Sequence, residues 1–594
     1  MIGVFGCARE PAPHRPSADA EPTPPVESPA IERPTATRPL ARLAPIAPAK
    51  ALVLLSPEDH LVRIALVLRG ARPRPEELEA VRRDPAAIEA IVDRYLDEPT
   101  FGEVVRDLWN EVLLLRVEAP RYNLPAVGPL AEYAESPEAL RTIAEEPLRL
   151  IEYVAVHDRP FSEVVTADYS LATEVGIAAW GATTLPAEAG ARLPEGWQRV
   201  RWDSEQPMAG ILSSGALWLR HPSNGANNHR GQAEVIAESF LCSGFLDRDV
   251  PLFNNIDLSD EEVVKSALTR EPGCVSCHQT LDPLASHLFG FVRVAPGAIR
   301  KAHDRDGECS KPGRPVCYPL AEYDPKRAGS YRKKTGRAPN FFGLPSRDLT
   351  TLGAQIADDP RFSMCVARRF YGYFMQVEPE AIPDATAASL QDALLGADLR
   401  VKDLVKAIVL ADDFRAIGGP GPIEALVGRK TTRPEQLSRL VADITGFTWT
   451  LTPANKKFGV IDLLATDRLG YRAIAGGVEG TQVNEPSYAY SPTRSLVLQA
   501  LAAEAAAFAV KRDLAAPAGR RELLTIDGAA RGDDEVRAQI VALYQRVLAE
   551  SIDPRGAEAD AALALLRPAL DRDPGRAWTL LLAALLQDPR IAFH

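Results

Sequence analysis

The sequence predicts a mainly α-helical, multi-domain protein, and three observations carry that prediction. Apolar residues recur at helical spacing along most of the chain after residue 50, as in Leu61, Ile64, Ala65 and Leu68. Residues three and four apart share one face of a helix. Helix-start signals precede several of these runs: Ser56-Pro57-Glu58-Asp59 offers a hydroxyl cap, a proline at the first helical position and an acid at the third. The chain is also long, with 594 residues of which 46% are apolar, enough for about three or four domains with cores of their own.

Taken in order, residues 1–50 read as a tether. Eleven prolines lie between Pro11 and Pro48, and such a stretch stays stiff and extended because it cannot bury enough apolar surface to fold. Residues 51–155 form an N-terminal helical module, with further starts at Pro75 and Asp84-Pro85 and an amphipathic run from Phe101 through Val104, Val105, Leu108 and Val112 to Leu115. From 156 to 256 the periodicity weakens while Gly, Pro and Asn rise, and Trp180, Trp197, Trp202 and Trp218 cluster. That composition predicts a loop-rich segment with buried indoles.

Residues 257–417 return to helical patterning. Ser259-Asp260-Glu261-Glu262 caps a helix with Val263, Val264, Ala267 and Leu268 as its buried stripe, and Pro272-Gly273 ends it. Asp282-Pro283 opens the next, carrying Leu284, Leu288 and Phe291. Further helices are expected from Arg361, with Val366, Phe370, Tyr373 and Phe374 inward, and from Val401 to Phe414. Residues 423–594, beyond a Gly- and Pro-rich boundary, form an Ala- and Leu-rich helical module with periodic runs at Leu496–Ala509, Val536–Leu548 and Ala577–Leu586.

Inside the 257–417 stretch lies Gly273-Cys274-Val275-Ser276-Cys277-His278. Two thiols with two residues between them and an imidazole directly after the second are what covalent haem attachment needs. Each thiol adds to one vinyl group, and the next side chain lies under the iron. With so few Cys and His in the chain, a chance match arises in roughly one sequence per thousand, by multiplying residue frequencies over the available positions. The expected cofactor is therefore one covalent haem c, held by Cys274, Cys277 and His278, with His278 as proximal iron ligand. The tryptophan-rich segment could cover one face of the porphyrin, and His221 and His229 lie on polar turns within reach of it. Other readings stay open: a zinc site completed by Cys309 and Cys317, a redox dithiol, or a structural disulfide. The second cysteine pair is too widely spaced for a zinc ribbon, and a thioredoxin-like dithiol expects a βαβ context.

Cysteine usage bears on the compartment. Met1-Ile2-Gly3-Val4-Phe5-Gly6-Cys7 resembles the end of a lipoprotein signal but has no charged n-region. The start lies upstream, or the match is chance. The expectation is an exported, periplasmic or envelope-attached protein, touching a membrane only through lipid on Cys7, and no uninterrupted apolar run of spanning length is found. Of the other cysteines, Cys309 and Cys317 are the expected disulfide, while Cys242 and Cys365 are either a second disulfide or buried free thiols. A net charge of −12 argues against nucleic acid. Residues 293–337 nevertheless hold twelve Lys or Arg against five Asp or Glu. Such a loop can offset haem propionates, dock an acidic redox partner, or face water.

With these residues in view, the chain resembles the planctomycete-type cytochrome c-like proteins, multi-domain proteins of unknown function with a single Cys-x-x-Cys-His motif. The resemblance lies in Leu66 to Pro73, Pro99-Thr100-Phe101-Gly102, Arg159-Pro160-Phe161, Thr166-Ala167-Asp168-Tyr169 and Gly210-Ile211-Leu212. It continues in His229-Arg230-Gly231, Cys274 to Pro283 and Cys365 to Arg369. Roughly half the chain is covered, and the C-terminal third departs from the pattern. The resemblance implies a secreted or envelope-attached monohaem protein. One-electron transfer is the expected activity, with a non-haem zinc or structural scaffold and a haem peroxidase as alternatives. The distal ligand decides among haem functions, and the candidates are Met375, Met364, His229, His287, Met208 and His303. No P-loop, zinc-protease His-Glu-x-x-His or Gly-x-Ser-x-Gly elbow is found.

Overall fold

The computed structural model describes residues 41–594 apart from 118–127, 134–135, 203–204, 224–226, 248–256, 258, 292–322, 422–423, 455–459, 467 and 527–531. Most of the expected tether, Cys7, His303, Cys309 and Cys317 therefore lie outside the described residues. What is described is mainly α-helical, and the strands are short, of five residues at most.

The first part holds strand β1 (Val53–Leu54) and helices α1 (Pro57–Arg69), α2 (Pro75–Arg83), α3 (Ala87–Leu96), α4 (Pro99–Leu113) and α5 (Pro137–Val156). Local chemistry sets their ends. Ser56 Oγ accepts from the Asp59 amide at 3.0 Å, and Pro57 supplies the first helical position of α1. The same helix stops at Gly70, left-handed at φ 66°, where a Cβ would come within 2.7 Å of the Arg439 side chain. A side chain here would be both strained and crowded.

The segment expected to be loop-rich holds short helices α6 (Glu163–Thr166), α7 (Glu174–Trp180) and α8 (Gly215–Arg220), followed by α9 (Arg230–Leu241). A three-stranded antiparallel sheet lies among them, with β4 (Gln198–Trp202) between β2 (Ser170–Ala172) and β3 (Ala182–Thr184). Its indoles are spent on packing. Trp180 and Trp202 share a small core with Ala139, Ile143 and Val175, while Trp218 sits in the main core and donates to the Leu212 carbonyl at 2.9 Å.

Two expectations around the cysteine motif are corrected. Helix α10 (Glu261–Arg270) starts at Asp260, whose side chain accepts from the Glu262 and Val263 amides. Of its expected stripe only Ala267 is buried, and Val263 is 39% exposed. Helix α11 (Pro272–Ser286) then carries the motif and runs straight through Asp282-Pro283. Helix α10 does end there, at Arg270, as expected, and Pro272 occupies the first helical position of α11, where a missing amide costs nothing, so it is a start as well as a stop. Beyond a hairpin of β5 (Asn340–Phe341) and β6 (Leu344–Pro345) come helices Leu349–Asp358, Pro360–Met375, Asp384–Gly396 and Val401–Val409, and then β7 (Ala416–Gly418), which pairs antiparallel with β1.

One core runs from Leu61 to Val427 and takes residues from the N-terminal, sheet-bearing and motif-bearing parts alike. A second is built from residues after 430, among them Leu440, Leu501, Val536, Leu566 and Trp578, and it also takes Leu66 from α1. Helix α1 therefore belongs to both. The seam is ionic beside it: Asp107 pairs with Arg116 at 2.7 Å and with Arg439 at 2.8 Å, and Glu111 with Arg433 at 2.8 Å. In the second core, Pro492–Ala515 is long and apolar enough by length and composition to cross a membrane, with half of its apolar window buried. Gln499 and Glu504 interrupt its apolar sequence, so it is not an uninterrupted apolar run of the kind whose absence was expected. Its Val497, Leu501, Ala505 and Ala509 pack inside that core, as in the core helix of a globular domain.

Cys242, at the end of α9, is joined by a disulfide to Cys365 in Pro360–Met375, 123 residues away in sequence. Cys242→Ser should destabilise the fold by about 2–5 kcal/mol, the range for a bridge closing a long loop, read as a lower chemical-denaturation midpoint. Maleimide labelling of the Cys242 and Cys365 peptides in unfolded, unreduced wild type would show that the bridge does not exist.

Two buried histidines make stability depend on pH. His60 Nε2 meets the Val409 carbonyl at 2.7 Å and His221 Nε2 meets that of Leu113 at 2.9 Å. Burial, with neighbouring arginine charges, lowers both from 6.5 to about 4. The unfolded chain takes up these protons first, so stability is full above about pH 6.5 and is lost as pH falls towards about 4, by about 2–3 kcal/mol for each group. Denaturation midpoints between pH 7 and pH 4.5 should fall, and His60→Gln should flatten the slope. An unchanged slope in that variant would remove His60 as a cause.

Candidate functional site

Helix α11 displays the motif along one face. Cys274, Cys277, His278 and Leu281 stand at i, i+3, i+4 and i+7, positions that align on a helix, and all four are half-buried. Cys277 and Leu281 lean on the main core. Both thiols are free, whereas Cys242 and Cys365 bond to each other.

The opposite edge of the imidazole is held from inside. His278 Nδ1 lies 3.0 Å from Asp282 Oδ1, one helical turn on. Asp282 is 2% exposed and also accepts two hydrogen bonds from Arg230 at the start of α9, from Nε at 2.6 Å and Nη2 at 3.2 Å. Arg337 Nε stands 3.8 Å from its other oxygen. Burial pushes the Asp282 carboxyl up, but the hydrogen bonds from His278 and Arg230 outweigh it and hold the group below its usual range. An ionised carboxylate only accepts, so Nδ1 carries the proton of this contact; in a neutral imidazole that arrangement leaves the lone pair on Nε2, the tautomer a metal ligand requires. The donor set of two free thiols and an oriented imidazole on one helical stripe fits covalent haem.

The distal candidates separate. Met375 is fully buried in the main core, and Met208 packs on the small core with Trp180. Met364 adjoins the disulfide at the far end of α9, about 18 Å along that helix from the Arg230–Asp282 contact at 1.5 Å per residue. His287 is buried and neutral, lowered by burial to about 4. It caps the same helix nine positions after His278, so the two cannot face each other across one iron. Among the described candidates, His229 is the one next in sequence to Arg230, which shares Asp282 with His278. It precedes Arg230, its Nδ1 meets Gln232 Oε1 at 2.6 Å, and its ring lies 4.9 Å from that of Phe289. Its backbone is left-handed at φ 65°, directly after Asn228 at φ 54°. Such strain in successive non-glycine residues concentrates at functional sites. Here the Ser223 hydroxyl, accepting from the His229 amide at 2.8 Å, helps hold it. His221, the other turn histidine, is committed to the Leu113 carbonyl.

Asp282, Arg230 and Arg337 escaped the sequence reading as site residues. The signal for Asp282 was its position four after His278, visible only once one helix is drawn through the motif. For zinc, no three His, Cys, Asp or Glu converge among the described residues, and Cys309 and Cys317 lie outside them. Other residues of the family resemblance serve as a structural clamp: Arg159 pairs with Glu163 and Glu188, both at 2.7 Å, and Tyr169 donates to Glu163 at 2.8 Å.

No protein-family model, curated protein or solved structure matches this chain.

Asp282→Ala leaves the Arg230 guanidinium without its partner. The expected loss is about 2–3 kcal/mol, below the usual figure for a broken buried pair because Arg230 keeps some contact with water. Denaturant unfolding followed by circular dichroism measures it. A change under about 0.5 kcal/mol, the size of an ordinary surface substitution, would mean the carboxylate does not brace α11.

Proposed function

We propose that this is an envelope-associated, monohaem c-type cytochrome-like protein that passes single electrons. The observation that carries the reading is the stripe of free Cys274, free Cys277 and His278 on α11, with the His278 Nδ1 proton fixed by buried Asp282. Cys274 and Cys277 would hold the porphyrin as thioethers and His278 Nε2 would take the proximal position. The bound haem supplies a one-electron couple whose potential is set by its axial ligands, hydrogen bonding and burial. The chain's own part is orientation. Arg230 and Asp282 lock the imidazole ring, and a carboxylate on Nδ1 raises the basicity of Nε2.

His229 is the proposed distal ligand, because its neighbour Arg230 makes the contact that positions His278. A second imidazole gives a low-potential electron carrier and leaves no open position for peroxide. The resemblance to cytochrome c-like proteins supports the same reading, since its His229-Arg230-Gly231 and Cys274-to-Pro283 segments meet through Arg230 and Asp282. The envelope assignment rests on the proline-rich stretch behind Cys7 and on the Cys242–Cys365 bridge, which belongs to an oxidising compartment.

Protein matured in an export-competent host with haem-attachment machinery should keep a red cofactor through acidified-acetone extraction and give a c-type pyridine haemochrome. Cys274→Ser with Cys277→Ser should abolish retention. His229→Ala should turn a low-spin spectrum high-spin, whereas Met375→Leu and Met364→Leu should not. A colourless wild type would end the haem reading, and a spectrum indifferent to His229 would end the distal assignment alone.

A further inference from the structure

Residues 323–337 form a strap with both ends fastened to the motif helix and the turn after it. At one end Tyr323 bridges Phe291, and the Asp324 amide donates to the Gly290 carbonyl at 2.8 Å. Gly290 is required there, because a Cβ would fall 2.2 Å from the Tyr323 ring. At the other end the Arg337 carbonyl accepts from Ser286 Oγ at 2.8 Å, and Arg337 Nη2 donates to the Leu268 carbonyl of α10 at 2.9 Å. Arg337 also approaches Asp282, the group that orients His278.

Between these fastenings the strap is basic. It holds six Lys or Arg and a single acid, Asp324. Asp324 is occupied in capping the short helix Pro325–Ala328 by accepting from the Lys326 amide at 2.9 Å. Lys326, Arg332, Lys333 and Lys334 are exposed, and these four with Arg327 make no ion pair among the described residues. Two other elements packed on or beside the motif helix expose apolar side chains: Val263 on α10 is 39% exposed and Leu344 on the β5–β6 hairpin 58%. Unpaired cations with apolar side chains nearby are the composition of a transient docking surface.

We propose that this strap is where an acidic one-electron carrier protein docks, beside the helix whose Cys274, Cys277 and His278 would hold the haem. The proposal rests on the haem reading. Its physical basis is a positive field on an acidic chain. With a net charge of −12, the rest of the molecule repels an acidic partner, and the strap is a local exception that orients approach. The transfer itself moves one electron from the reduced partner to the ferric haem, with no bond made or broken and no proton moved.

The probe is reduced plant-type ferredoxin, an acidic one-electron protein, mixed anaerobically with oxidised holoprotein in a stopped-flow spectrometer. The expected wild-type rate falls as salt rises. Arg332→Glu/Lys333→Glu/Lys334→Glu should slow it about tenfold at low salt. The difference should vanish near 1 M, where screening acts within about 3 Å. Lys326→Glu/Arg327→Glu provides an independent second variant, and the pyridine haemochrome and circular dichroism of each sample are recorded. Haem present with rates indifferent to both variants overturns the docking site while leaving the haem reading intact. Haem absent overturns both. Charge-dependent sedimentation with phosphatidylglycerol vesicles without a charge-dependent rate, or a dimer of this chain that the variants dissolve, would replace the protein partner with a membrane or a second copy.

Discussion

A carboxylate buried against the inner face of one helix organises the candidate site. Asp282 accepts from His278 on its own helix and from Arg230 on the neighbouring one, with Arg337 close by. An ionised group at this depth survives only because cations and hydrogen bonds replace the water it has lost. Their geometry in turn fixes three pieces of chain: the motif helix, the start of α9 and the end of the basic strap. The imidazole orientation and the contact between the start of α9 and α11 therefore meet at a single neutralised charge, with the end of the strap beside it.

A similar economy governs the larger architecture. Helix α1 is shared between two cores, and Arg63 on it donates to the carbonyls of Phe414, Ala416 and His594. Those acceptors come from both sides of the boundary expected near residue 420. Asp107 and Glu111 on α4 reach across the same seam to Arg439 and Arg433. The C-terminal part has its own hydrophobic core but shares a helix and a set of buried ion pairs with the remainder. Breaking such a pair leaves an uncompensated buried charge, so each pair ties the two cores together at a defined place.

Local signals were legible where chemistry acts over a few residues. The cap at Ser56, the amphipathic face of α4 and the Cys-x-x-Cys-His spacing all depend on neighbours within one or two turns, and they read directly. The reading of Asp282-Pro283 as a helix start misled for a physical reason: an Asp-Pro pair can open a new helix or lie inside a longer one, and only the packing of α11 selects between the two. The partly covered stripe of α10 is a second case. Periodicity reports which residues could share a face, not whether anything covers it, and Val263 remains uncovered at 39% exposure.

By itself, the sequence determined the helical class, most helix starts, the thiol and imidazole set, and the acidic chain with its basic exception. Each of these is a property of adjacent residues. Tertiary structure alone decided that Cys242 meets Cys365 across 123 residues, that Arg230 finds Asp282, and that the two ends of the basic strap return to the motif helix and the turn after it. Those pairings join positions far apart in the chain. They follow from how helices cross in the folded core, which short-range spacing does not encode.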